Sequence, residues 1–168
     1  MGFLTRDKFN PMHYGEIFHI WTHLMGSKEC VGKFQMLSNH VEDKDLKKII
    51  EDIIENMIKP EIKELDEILK ENGIELPPCS QEKPEVEFES IPKGARMEDK
   101  DSAYCVYNDL TKNLVNCSQI IGLSIRSDIS KIFLDHHQDI ARYGSKLLKL
   151  MKDKEWLEKP PLHITDNY

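Results

Sequence analysis

The stretch IELPPCSQEKPEVEFESIPKGARMEDK, residues 74–100, decides the fold. Four of the eight prolines fall in it, at Pro77, Pro78, Pro84 and Pro92. Each proline removes a backbone donor and clashes with the preceding turn, so no helix runs through. The glutamates and lysines between them resist burial. The segment is too long for a turn between antiparallel helices and too short for a domain. It reads as an extended crossover along the outside of the structures on either side.

Working outward from it, apolar residues recur at helical spacing on both flanks. Residues 12–41 carry Ile17, Ile20, Leu24, Val31, Phe34 and Val41. Residues 43–72 carry Leu46, Ile50, Ile54, Met57, Ile58, Leu65, Ile68 and Leu69, with Asp43 or Asp45 as cap, Asn72-Gly73 as stop and a kink expected at Pro60. After the crossover, residues 101–124 place Ala103, Val106, Tyr107, Leu110, Leu114, Cys117 and Ile121 on one face, started by Asp99, Asp101 or Ser102. Residues 127–154, capped by Ser127, place Ile129, Ile132, Phe133, His136, Ile140, Tyr143, Leu147, Leu150 and Met151. The expectation is an all-α single domain over residues 1–168. Its architecture is a four-helix bundle with one long crossover between helices 2 and 3, the ferritin-like arrangement. Helix 1 then rises, helix 2 descends, helix 3 descends again from the top, and helix 4 rises.

The chain of 168 residues has a formal charge of −7, with 32% charged and 39% hydrophobic residues. That balance excludes a polybasic binder of nucleic acid or acidic membrane. No apolar run approaches the roughly 18 residues of a membrane span, and the first residues lack a basic stretch followed by an apolar one, so a soluble, cytoplasmic protein is expected. No Gly-rich phosphate loop, Gly-x-Ser-x-Gly, His-Glu-x-x-His or EF-hand pattern occurs. Cys30, Cys79, Cys105 and Cys117 are too widely spaced for a Cys-x-x-Cys motif and read as reduced, small apolar residues. The triplet Asn116-Cys117-Ser118 matches a glycosylation acceptor that an intracellular chain would not use.

Polar residues inside the apolar stripes carry the functional signal. With Ile20 as the core centre of helix 1, His13 lies at about 20°, Glu16 at about −40°, His23 at about −60° and His19 at about −100°. On helix 4 a stripe centred near His136 puts Asp139 at about −60° and His137 at about 100°. Glu61, just after Pro60, lies within about 20° of Ile54's direction. Under the crossover topology His23, Glu61 and His136 fall within about 5 Å of one height, with Asp139 level with His23 and Glu16 one to two turns below. A carboxylate among aliphatics is costly unless paired or bound to a cation, and imidazole with carboxylate suits zinc, iron or manganese. A divalent metal held by His23, Glu61 and His136, with Asp139 and Glu16 as further ligands, therefore stands beside a metal-free polar cluster of the same residues. His13 reads as a capping or end-of-bundle residue, and His40, His137 and His163 as solvent or packing residues. The outward face of helix 1, with Tyr14, Phe18, Trp21 and Met25, predicts a homodimer unless the crossover or C-terminal tail covers it.

The run Ala141 to Met151 (ARYGSKLLKLM) followed by Trp156-Leu157-Glu158-Lys159-Pro160-Pro161, with Ser124-Ile125-Arg126-Ser127-Asp128 before the last helix, resembles a family of ferritin-like proteins of spore-forming bacteria related to spore coat protein F. The resemblance extends over nearly the whole chain. It implies a four-helix ferritin-like bundle, a spore-coat association with coat proteins as partners, and no established activity. Ferritin-like di-iron proteins place a Glu on two helices and Glu-x-x-His on the other two. Here Glu16 and His19 give that spacing once, helix 4 has the reverse order His136-x-x-Asp139, and helix 3 offers no inward Glu. Three readings follow: a ferritin-like, spore-coat-type bundle with an interior metal; a structural interaction module whose polar core fixes helix register; and a metal-dependent oxidase or peroxide-handling enzyme.

Overall fold

His13 opens the first helix from its side chain: Nδ1 accepts from the backbone N–H of Gly15 and Glu16, while the Glu16 carboxylate accepts from the N–H of His13. This reciprocal capping starts α1 (Tyr14–Asn39) in the computed structural model, which describes residues 10–79, 81–161 and 163. The expected domain's outer residues, 1–9, 162 and 164–168, and Ser80 within the crossover lie outside the described residues. Asp43 caps α2 (Lys44–Ile53), its carboxylate accepting from the N–H of Asp45 and Leu46 at 3.0 Å each.

The expected kink at Pro60 takes the form of a π-helical turn, Ile54–Ile58, between α2 and α3 (Lys59–Glu71). Pro60 has no N–H to give to the turn before it, and Lys59 N–H reaches back five residues to Ile54 C=O. The wide turn also corrects a phase error. In an unbroken α-helix Leu65 would lie about 100° round from Leu46. One extra residue taken up in the π turn brings Leu65 and Leu69 back to the core, where both are fully buried with Leu46 and Ile50. The rod stops at Gly73, whose φ of 72° suits glycine, with Ile74 N–H closing onto Leu69 C=O at 2.9 Å.

The crossover then climbs along α1. Trp21 Nε1–H donates to Glu75 C=O at 2.9 Å, Lys28 Nζ to Pro77 C=O at 3.2 Å, and two amides one turn apart clasp its backbone. Gln35 Oε1 accepts from Lys83 N–H (2.7 Å), Asn39 Nδ2 donates to Pro84 C=O (2.9 Å) and Asn39 Oδ1 accepts from Val86 N–H (3.0 Å). Two single 3-10 turns, Phe88–Ser90 and Lys93–Ala95, interrupt the extended path. The chain so returns to the top of the bundle, where α4 (Asp99–Leu123) begins. Asp99 does not cap its own helix; its carboxylate accepts from Glu42 and Asp43 N–H, bracing the α1–α2 corner. After a three-residue turn α5 (Ser127–Asp153) rises, with Arg126 rather than Ser127 at the N-cap position and no side-chain cap bond.

The result is all-helical, with no strand among the described residues, and has the ferritin-like order of two antiparallel rods, a long crossover and two more antiparallel rods. The core between the rods is built of Ile20, Leu24, Phe34, Leu46, Ile50, Leu65, Phe133, Ile140 and Leu147, all buried. No described helix is long and apolar enough to cross a membrane.

Candidate functional site

α1, α3 and α5 converge at mid-height on a buried polar group. His23 on α1 and Glu61 on α3 meet directly, Nε2–H donating to Oε1 at 2.6 Å. Ser27, one turn above His23, donates its hydroxyl to the same oxygen at 2.9 Å. The amide nitrogen of Asn116 on α4 lies 2.7 Å from His23 Nδ1. His136 on α5 reaches the same rod one turn further on, at Glu64, with Nε2 2.9 Å from Oε2. Phe133 stands between the imidazoles, edge-on to His23 at 5.2 Å and to His136 at 5.7 Å. The cluster thus joins all four rods of the bundle.

Burial pushes the Glu61 carboxyl up. The His23 hydrogen bond, the charges brought by His23 and His136, and the Ser27 hydroxyl outweigh it, and the group is held below its ordinary value. The same burial, with the Glu61 charge beyond it, pushes the Cys117 thiol up to about 12, and Cys30 is pushed up to about 11 by burial and by Asp109. Both thiols are therefore poor nucleophiles. A cavity of ≈ 10 Å³ beside Glu61, lined in part by Ser27, Cys30 and Asn113, has room for no more than one water.

Of the residues singled out by angle and height, His23 and Glu61 are brought into contact, and His136 comes to the same cluster through Phe133 and the field at Glu61. Asp139 is not brought there. The buried arc of α5 centres on Ile140, which leaves Asp139 about 100° away, 44% exposed and paired with Arg142 at 2.8 Å. Glu16 faces inward but lies about 10 Å below His23, at the foot of the bundle. There its carboxylate is taken by backbone: Oε1 accepts from Ile125 N–H (2.8 Å) and Arg126 N–H (3.0 Å). Beside it the buried Arg126 ties the Asp128 carboxylate (2.7 Å), Asn72 Oδ1 (3.0 Å) and Asn10 C=O (3.1 Å). Among the described residues no group of three or more His, Cys, Asp or Glu is arranged to hold a metal ion. His23 and Glu61 spend their facing atoms on each other.

The residues that sequence reasoning missed are Ser27, Glu64, Asn116 and Phe133. Ser27 stands one turn from His23 and Glu64 one turn from Glu61, a spacing that puts each beside its partner. His40 and His13 serve backbone, His40 Nδ1 accepting from Met97 N–H at 3.3 Å. On the outward face of α1, Tyr14 and Phe18 are exposed, whereas Trp21 is bonded by the start of the crossover.

A family model described as "Protein of unknown function (DUF3231)" matches residues 3–168. The uncharacterised protein YvdQ of Bacillus subtilis (strain 168) is 44% identical over 169 residues, spanning 100% of this chain and 99% of that protein. A crystal structure of a Bacillus halodurans C-125 protein, provisionally described as a spore coat protein, superposes with a TM-score of 0.92 at 39% identity, covering 95% of this chain and 99% of the other. A two-domain protein from Anabaena variabilis containing DJ-1/ThiJ/PfpI-like and ferritin-like domains matches with a TM-score of 0.65 at 14% identity, over 91% of this chain and 40% of that one. At that identity the likeness concerns the fold alone.

Proposed function

This chain belongs to the DUF3231 family, and we propose that it is a structural protein of the spore-coat type, a ferritin-like bundle whose polar core fixes helix register. One observation carries this reading: the interior histidine and carboxylate are bonded to each other, His23 to Glu61 at 2.6 Å, with Ser27 and Asn116 completing the set. A buried pair of this kind contributes little net stability over apolar packing, yet it penalises any slip of one rod past another. The Bacillus halodurans neighbour supports the coat assignment.

A second reading, a single divalent cation (zinc, iron or manganese) in the same interior, is favoured by one atom. His136 Nδ1 is buried without a hydrogen-bond partner among the described residues, and such atoms call for a water or an ion. A metal-dependent oxidase would further need open coordination positions on such a cation.

The coat assignment is tested by expressing the chain, fused to a fluorescent protein, in sporulating Bacillus subtilis. Signal in a ring at the forespore, with the protein recovered in the coat extract, is the expected result. Protein that stays in the mother-cell cytosol and is absent from the extract would contradict it.

A further inference from the structure

We propose that Asn72-Gly73 is a self-modification site, a succinimide-forming pair that the foot of the bundle holds shut and whose conversion loosens the C-terminal cap of α3. It is the one Asn-Gly pair in the sequence. The chemistry needs water and nothing else. The backbone nitrogen of Gly73 attacks Cγ of Asn72, the new N–Cγ bond closes an imide ring, and Nδ2 leaves as ammonia, carrying off the proton that Gly73 N–H gives up. Water then adds to one of the two imide carbonyls and opens the ring. The product is an aspartate or its iso form, in which the side-chain carbon has entered the main chain. Glycine hinders the attack least, because it has no Cβ.

The folded chain withholds every group that the reaction needs. At a ψ of 9° for Asn72 the Gly73 nitrogen is nearly eclipsed with Asn72's own nitrogen, swung away from the side chain it has to reach. Gly73 N–H is spent on Lys70 C=O at 3.0 Å, and Ile74 N–H on Leu69 C=O at 2.9 Å. The amide is held at both atoms: Nδ2 donates to Ile68 C=O at 2.8 Å, and Oδ1 accepts from Arg126 Nη1 at 3.0 Å. Arg126 is itself buried and fixed by the Asp128 carboxylate. Turning ψ far enough for attack therefore undoes the cap of α3 and the tie to Arg126 together. The opening required is local, since Gly73 is exposed and a Cβ there would meet nothing within 4 Å.

The product does not fit the cap that the asparagine makes. One carboxylate oxygen keeps Arg126, but the other stands where Nδ2 donated to Ile68 C=O, so two acceptors face each other. The new charge falls at the C-terminal end of a helix, where the macrodipole disfavours an anion. The iso form lengthens the main chain within the cap. Conversion is thus a one-way step that leaves the end of α3 less tightly closed.

Peptide mapping by mass spectrometry tests the proposal on the full chain, kept at mildly alkaline pH either folded or in urea. In urea Asn72 should convert ahead of every other asparagine, seen as the mass gain of amide to acid with the iso form resolved by retention. The folded chain should convert at least about tenfold more slowly, because it reacts only when the cap is open. Asn72→Asp, which installs one product directly, should lose about tenfold in hydrogen-exchange protection at Gly73 and Ile74, with Leu65 and Ile140 as in the parent. Four results would each overturn the proposal: Asn72 intact in urea, a folded chain that converts as fast as the unfolded one, unchanged protection at Gly73 and Ile74 in Asn72→Asp, or a loss in that variant that spreads to Leu65 and Ile140.

Discussion

Glu61→Ala is expected to lower stability by about 2–5 kcal/mol, the cost of leaving two buried donors without their acceptor, and so to lower the melting temperature by roughly 10 °C. The substitution strands His23 Nε2 and the Ser27 hydroxyl in the interior, where the carboxylate now accepts from both. Removing both partners should be far milder: His23→Leu with Glu61→Met leaves no orphaned charge and is expected within about 1–2 kcal/mol of the parent. The pair also sets an acid limb. Because the Glu61 carboxyl lies below its ordinary value in the folded chain, its contribution is complete above the ordinary glutamate range near pH ~4.3 and is lost as pH falls through the lower folded value. Glu61→Gln should therefore lose less stability on acidification below pH ~4 than the parent does, as read from chemical denaturation at a series of pH values. Equal loss in both would show that Glu61 is not ionised in the folded state.

Glu16→Ala should be the next most damaging change, by about 3 kcal/mol, because three backbone donors lose a buried acceptor together. His13 N–H, Ile125 N–H and Arg126 N–H all point at this one carboxylate, which is 1% exposed. The change opens the foot of the bundle, where the start of α1 and the α4–α5 turn are held to each other. Hydrogen exchange locates the effect: protection should fall at Ile125 and Arg126 and persist at Leu65 and Ile140. Glu16→Gln keeps a carbonyl acceptor and should cost about half as much. Uniform loss of protection across the bundle would assign Glu16 to the common core instead.

The prolines made the fold legible. A segment that can neither form helix nor be buried separates two pairs of helical stripes, and only one bundle order accommodates it. The same topology set the heights at which His23 and Glu61 meet. Other features depended on details of rotation that a mean of 100° per residue does not carry. Asp139 is turned to solvent because the arc of α5 centres one turn beyond His136, at Ile140. The π turn at Ile54–Ile58 was written in the phase slip between Leu46 and Leu65, but Pro60 drew attention to bending and away from winding. Glu16 pointed inward for a reason no helical wheel contains, since its partners are main-chain groups of residues far along the chain. The Asn116 contact to His23 likewise depends on how α4 is rotated against α1.

His23, Ser27 and Glu61 satisfy one another as a structural core without a cation. Thermal melting of the protein stripped with a chelator, then repeated with excess zinc, manganese or iron(II), tests it most directly. The same midpoint is expected in every case, because an ion that does not bind the folded state cannot shift it. A midpoint that rises with metal concentration in the parent, and no longer rises in His136→Ala, would contradict the claim and establish the cation site in its place.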